Sequence, residues 1–155
     1  MSNKPQTVDR AETRLIGYSV TASLNQDLAT GIIGALRGKL RDRLREMGHP
    51  GETEGMYLVQ VYPAEEWTPE VPFDSIVGIA VSDFASVPEE FVRHTLPAGA
   101  YVKVTHQGPE SEIDLTYDSI REQGLCDCRP FDFEYWPKTD SLEQAESEIE
   151  IYLPL

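Results

Sequence analysis

Six consecutive residues, Phe131-Asp132-Phe133-Glu134-Tyr135-Trp136, set carboxylates and aromatic rings in alternation. On a strand, Asp132, Glu134 and Trp136 share one face, and Phe131, Phe133 and Tyr135 the other. A carboxylate among aromatic and apolar neighbours is costly to desolvate unless it is paired. If the Glu134 face is wet, the pattern means nothing more than an acidic surface. If it is buried, two chemistries open. Glu134 can hold a delocalised cation, by charge and by ring quadrupole, or accept a proton as a general base if burial raises its pKa. Candidate aromatic walls for such a site are Tyr57, Trp67, Tyr101, Trp136 and Tyr152. Each reads more readily as core or loop packing than as ligand contact, and Trp136, on the same face as Glu134, is the best placed.

Other chemistries find little support. His49, His94 and His106 lie far apart, without metal-ligand spacing. Cys126-Asp127-Cys128 is too short for a zinc pattern and has no second pair. A disulfide between cysteines two apart is geometrically poor and closes almost no loop, so free thiols in a reducing compartment are expected. There is no phosphate loop, nucleophile elbow or dinucleotide fingerprint. No metal and no cofactor are expected. His106 reads as a structural residue bridging turn backbone.

The elements that must position Glu134 can be read from periodicity. Residues 1–12 look like a loose polar leader, and 13–155 like one domain, the size expected of 155 residues. Arg14–Leu24 reads as a strand with Gly17 as a bulge, and Asn25 or Asp27 as the cap of the next element. Leu28, Ile32, Leu36, Leu40, Leu44 and Met47 make one apolar stripe, predicting a helix over 28–47 that Gly48 and Pro50 end. Its other face carries Arg37, Lys39, Arg41, Arg43 and Arg45, read as a solvated face. Strands are expected over Met56–Tyr62 and Phe73–Val81, with Ser82–Leu96 as a connection. Then come a strand over Tyr101–His106, a helix over Ile113–Gln123, and strands over Phe131–Trp136 and Ile149–Leu153. Tyr152 shares a face with Glu148 and Glu150, from which it could reach a cleft. The order reads β-α-β-β twice. The expected class is therefore α+β: duplicated units forming a pseudo-two-fold antiparallel sheet, with helices on one side and a central ligand cleft.

Charge narrows the partners. The formal net charge is −14, and residues 110–155 hold 13 acids against 3 bases. Such a field disfavours direct nucleic-acid binding. It suits cationic ligands, or a DNA-like surface offered to a DNA-binding protein. No apolar run is long enough to span a membrane and no signal core is present, so a cytoplasmic protein is expected.

Three motifs carry a family resemblance: Pro97-Ala98-Gly99-x-Tyr101 running to His106-x-Gly108-Pro109, then Phe133-Glu134-Tyr135, then Glu150-Ile151-Tyr152-Leu153-Pro154. In this order, over roughly Arg14–Leu155, the chain resembles the GyrI-like effector-binding domain, which includes the ligand-sensing halves of AraC- and MerR-type bacterial transcription regulators. The resemblance implies the duplicated fold and a pocket, with Glu134 as counter-charge for lipophilic, cationic or aromatic compounds, as in multidrug sensors. It implies two alternatives. One is a gyrase-inhibitor-like protein acting through its acidic surface. The other is a hydrolase of electrophilic small molecules, using Glu134 with Tyr101 or Tyr152. With only about a dozen residues before the first expected strand, a stand-alone domain without its own DNA-binding module is expected.

Overall fold

The computed structural model describes residues 5–46, 55–63, 68, 70–81, 88–125, 129–137, 142, 144–145 and 147–155, apart from the Leu28 side chain. Trp67, His49, Gly48, Pro50, Cys126 and Cys128 fall outside these residues. In chain order the elements are β1 (Gln6–Arg10), β2 (Thr13–Ala22), α1 (Leu24–Thr30), α2 (Ile32–Glu46), β3 (Met56–Val61), β4 (Phe73–Val81), β5 (Val92–Leu96), β6 (Gly99–Gln107), α3 (Ile113–Glu122), β7 (Phe131–Trp136) and β8 (Glu148–Pro154). A 3-10 turn at Glu110–Glu112 leads into α3.

The eight strands form one sheet in the order β1-β6-β8-β7-β3-β4-β2-β5, with every pairing antiparallel. Alternation along each strand gives the sheet two apolar faces. On one, Ile16, Leu58, Val77, Ile79, Trp136 and Ile149 pack against Leu40 and Leu44 of α2. On the same face, Val102, Val104, Ile151 and Leu153 pack against Ile120 of α3. On the other, Leu15, Leu96, Tyr57, Tyr101, Phe133 and Tyr152 form a second cluster. This cluster joins β5, near one end of the sheet, to β6, near the other, so the sheet curls around it.

Four local expectations change. Residues 6–10 are a strand rather than part of a leader, paired with Gly99–Lys103 of β6. The Ser82–Leu96 connection contains β5, paired with Thr13–Gly17 of β2. Both are edge strands whose existence depends on a distant partner, which local periodicity does not report. The long helix begins as two. Ser23, rather than Asn25 or Asp27, caps α1 in a capping box with Gln26, and Gly31 at φ 66° ends it. Asp27 instead joins the two helices, its carboxylate accepting from the Ile33 amide at 2.9 Å. Gly17 is no bulge: it sits in unbroken register opposite Gly78. A Cβ there would lie 1.9 Å from the Val77 carbonyl oxygen, so glycine permits β2 and β4 to approach.

Candidate functional site

Glu134 lies in the middle of β7, on the helix-bearing face. Its cross-strand neighbours are Leu58 on β3 and Ile151 on β8, both apolar. The residue is 4% exposed. Its two oxygens are held separately. Tyr117 of α3 donates its hydroxyl to Oε2 at 2.6 Å, and the Trp136 indole N–H donates to Oε1 at 2.9 Å. Among the described residues no cation forms a salt bridge with it. Desolvation therefore dominates, and the Glu134 pKa is pushed up to about 7, against the two hydrogen bonds that favour the charged form.

Tyr117 is in place because α3 is. Ile113, Tyr117 and Ile120 follow helical spacing and turn toward the sheet, where Ile113 and Tyr117 pack on the cluster containing Ile120. The helix is tied to β6 by His106, which is 3% exposed. His106 Nδ1 lies 2.7 Å from the Thr116 hydroxyl, and Nε2 lies 2.9 Å from the Pro109 carbonyl oxygen. That carbonyl can only accept, so Nε2 carries a proton. The His-x-Gly-Pro motif thus fixes the start of α3, and with it the residue before Tyr117. This is the structural role expected of His106.

A second carboxylate sits two residues away on the same face. Asp132 is fully buried. Its Oδ2 accepts from the Tyr62 hydroxyl at 2.7 Å and from Arg129 Nε at 2.9 Å, while Oδ1 has no partner among the described residues. Desolvation raises its pKa, opposed by the Arg129 charge. Burial also pushes the Tyr62 and Tyr117 phenols well above their ordinary value. Among the described residues, the two acids differ in their partners: Asp132 pairs with a guanidinium and leaves Oδ1 without a hydrogen bond, whereas Glu134 has both oxygens bonded and no guanidinium partner.

Arg37 of α2 covers the indole of Trp136, its guanidinium carbon 4.2 Å from the ring centroid. Its Nη2 lies 2.6 Å from Glu110 in the turn before α3. Trp136 therefore meets Glu134 at its edge and a guanidinium on its face. The basic face of α2 is accordingly not uniformly solvated. Arg37 is 13% exposed, Lys39 lies 4.5 Å over Tyr18, and Arg43 pairs with Glu90 at 2.7 Å.

Of the sequence candidates, the structure brings together Glu134 and Trp136. Tyr57, Tyr101 and Tyr152 lie on the opposite face of the sheet, where Phe133 stacks on Tyr152 at 4.8 Å and meets Tyr101 edge-on at 5.5 Å. Strand parity forces this. Phe133, not Glu134, is the residue in register with Tyr152. Neither Tyr101 nor Tyr152 reaches Glu134 in this arrangement, and the tyrosine that does is Tyr117. Arg10 sits over this second face, 4.6 Å from the Tyr152 centroid and 5.2 Å from Phe133. Tyr117 and Arg37 are residues that sequence reasoning did not place in the site. The helical spacing of Tyr117 with Ile113 and Ile120 was the available signal.

No group of three or more potential metal ligands occurs among the described residues, and none of their helices is long and apolar enough to cross a membrane.

Residues 3–155 match the family model of the GyrI-like small molecule binding domain. The chain is 27% identical over 128 residues to the transcriptional regulator BrlR of Pseudomonas aeruginosa, an alignment covering 68% of this chain and 47% of BrlR. It thus spans about half the length of that curated relative. Among solved structures, it is similar to SAV2435 bound to tetraphenylphosphonium, with a TM-score of 0.72 at 14% identity, covering 97% of this chain and 93% of that one. It is also similar to EcmrR in a DNA complex, with a TM-score of 0.65 at 18% identity, covering 99% of this chain and 57% of that one. At these identities the structural likeness establishes the fold.

Proposed function

The chain belongs to the GyrI-like small molecule binding domain family, and from that premise we propose that it binds lipophilic aromatic cations with Glu134 as their counter-charge. The observation that carries this reading is a carboxylate that is 4% exposed, flanked by Leu58 and Ile151, with no salt-bridge partner among the described residues. A buried, unneutralised acid is expensive. A ligand cation would offset that cost, and Tyr117 and Trp136 hold the acid in place to receive it. The tetraphenylphosphonium bound by SAV2435 is a ligand of the kind this site suits.

The proposed cleft lies on the helix-bearing face, between the β2-α2-β3-β4 and β6-α3-β7-β8 units. The strand order supports this duplicated arrangement: β6-β8-β7 and β3-β4-β2 mirror one another across the β7–β3 pair. Glu134 lies on β7 at this centre. By analogy with the regulator relatives, the bound state would be read out through a partner that contacts DNA, since the charge of −14 opposes direct contact by this domain.

Hydrolysis is the weaker reading of the same residues. A carboxylate with a pKa near 7 suits a general base, but both Glu134 oxygens already accept hydrogen bonds from fixed donors. That arrangement favours holding a charge over moving a proton. Tryptophan-quenching titration with tetraphenylphosphonium and neutral triphenylphosphine oxide, on wild type and Glu134→Gln, tests the binding reading. It predicts saturable binding of the cation that depends on Glu134, with little change for the neutral compound. Equal loss for both would assign Glu134 a structural role.

A further inference from the structure

We infer that Arg37 sets the specificity of this site by holding, with the chain's own guanidinium, the aromatic face that a ligand cation would use. The inference rests on the reading of Glu134 as the ligand's counter-charge.

Two contacts fix the position of Arg37. Its guanidinium lies 4.2 Å over Trp136, the ring whose indole N–H holds Glu134. It is also bonded at 2.6 Å to Glu110, whose charge is felt at Glu134. A cation stacking on Trp136 to reach Glu134 from the helix side meets a like charge already in the seat. The two cannot share one ring face.

A third observation says the seat is displaceable. The Arg37 side chain is 13% exposed, yet its Nε is buried with no acceptor among the described residues. A buried unpaired donor carries a desolvation cost that water would relieve. Arg37 therefore gains a hydrogen bond by leaving, which offsets part of the loss of Glu110 and of the indole. The arginine is a threshold rather than a fixed wall.

The threshold selects by ligand chemistry. A cation whose charge is spread over several rings brings apolar area as well as charge, and can displace the guanidinium. A compact cation such as tetramethylammonium brings charge alone and has no such surplus. The class admitted is thus bulky aromatic cations, with small ammonium ions excluded.

The test replaces Arg37 by Met, which keeps an unbranched apolar stem, and by Gln as a second variant should Met disturb folding. Wild type, Glu134→Gln, Arg37→Met, Arg37→Gln and the double variant Arg37→Met/Glu134→Gln are titrated with tetraphenylphosphonium and with tetramethylammonium. Near-ultraviolet circular dichroism checks the packing of each. Expected are about tenfold tighter tetraphenylphosphonium binding on loss of Arg37, saturable tetramethylammonium binding that wild type lacks, and loss of both in the double variant. Unchanged or weaker cation binding by folded Arg37 variants, with wild-type binding still dependent on Glu134, overturns this inference alone. Absence of Glu134-dependent binding in every protein overturns it together with the reading on which it rests.

Discussion

The two faces of the sheet each press a guanidinium against aromatic rings, yet they are built for different ends. On the aromatic face, Arg10 lies over Tyr152 and Phe133 and donates to the Tyr57 hydroxyl at 3.3 Å. The carboxylate on this face, Glu150, accepts from the Tyr152 hydroxyl, is part-exposed and pairs with Lys103 at 3.9 Å, so the arrangement reads as packing that joins β1 to the curled sheet. On the helix-bearing face, Arg37 lies over Trp136, but a buried carboxylate stands at the edge of that ring. The lesson lies in the carboxylate. Aromatic rings around a cation are common in cores; a desolvated acid without a salt bridge beside them is not.

The largest effects should fail to separate the two faces. Phe133 and Trp136 are both fully buried, so Phe133→Ala and Trp136→Ala should each cost about 3–5 kcal/mol of stability in urea denaturation. If Trp136→Ala is nearly neutral, the helix-bearing face is not a packed core and the comparison breaks.

Ligand binding should separate them. Glu134→Gln should weaken aromatic cations by about 2–5 kcal/mol, whereas Arg10→Met should leave their affinity unchanged by calorimetric titration. Loss of binding in Arg10→Met would move the site to the other face.

The pH dependence sharpens the contrast. Burial raises the Glu134 pKa from 4.5 to about 7, so the folded protein holds this proton more tightly than the unfolded chain. The charged acid therefore costs stability that is absent below 4.5, grows between 4.5 and 7, and is fully present above 7. Glu134→Gln should remove that slope, so its stability relative to wild type should rise across the window in denaturation at stepped pH. A constant difference would mean the carboxylate is not desolvated. Tyr117→Phe should act more gently, by about 1.5–3 kcal/mol on the charged form. Loss of its hydrogen bond should raise the Glu134 pKa further and shift the pH midpoint of cation binding upward.

How much of this was legible in the sequence depended on the range of the cause. The Phe131–Trp136 and Phe73–Val81 strands were readable to the residue because their apolar pattern is local, and that same pattern paired Glu134 with Trp136. Edge strands β1 and β5 were not, since each is specified by a partner far along the chain. Tyr57, Tyr101 and Tyr152 lie on the face opposite Glu134 for a related reason. A strand's parity is visible, but the parity of one strand relative to another is set by register, and Phe133 rather than Glu134 faces Tyr152. Arg37 reads from the sequence as part of a wet basic face, because helical spacing alone cannot say which cation finds an aromatic ring to cover.

The most direct test of the central claim is tetraphenylphosphonium affinity, measured by titration calorimetry from pH 5 to pH 9 on wild type and Glu134→Gln. Wild-type affinity is expected to rise about tenfold per pH unit below 7 and to level off above it, as a carboxylate with a pKa of about 7 ionises, with a flat, weak profile for Glu134→Gln. A flat wild-type profile, or the same rise in both proteins, would contradict a buried Glu134 as the ligand's counter-charge.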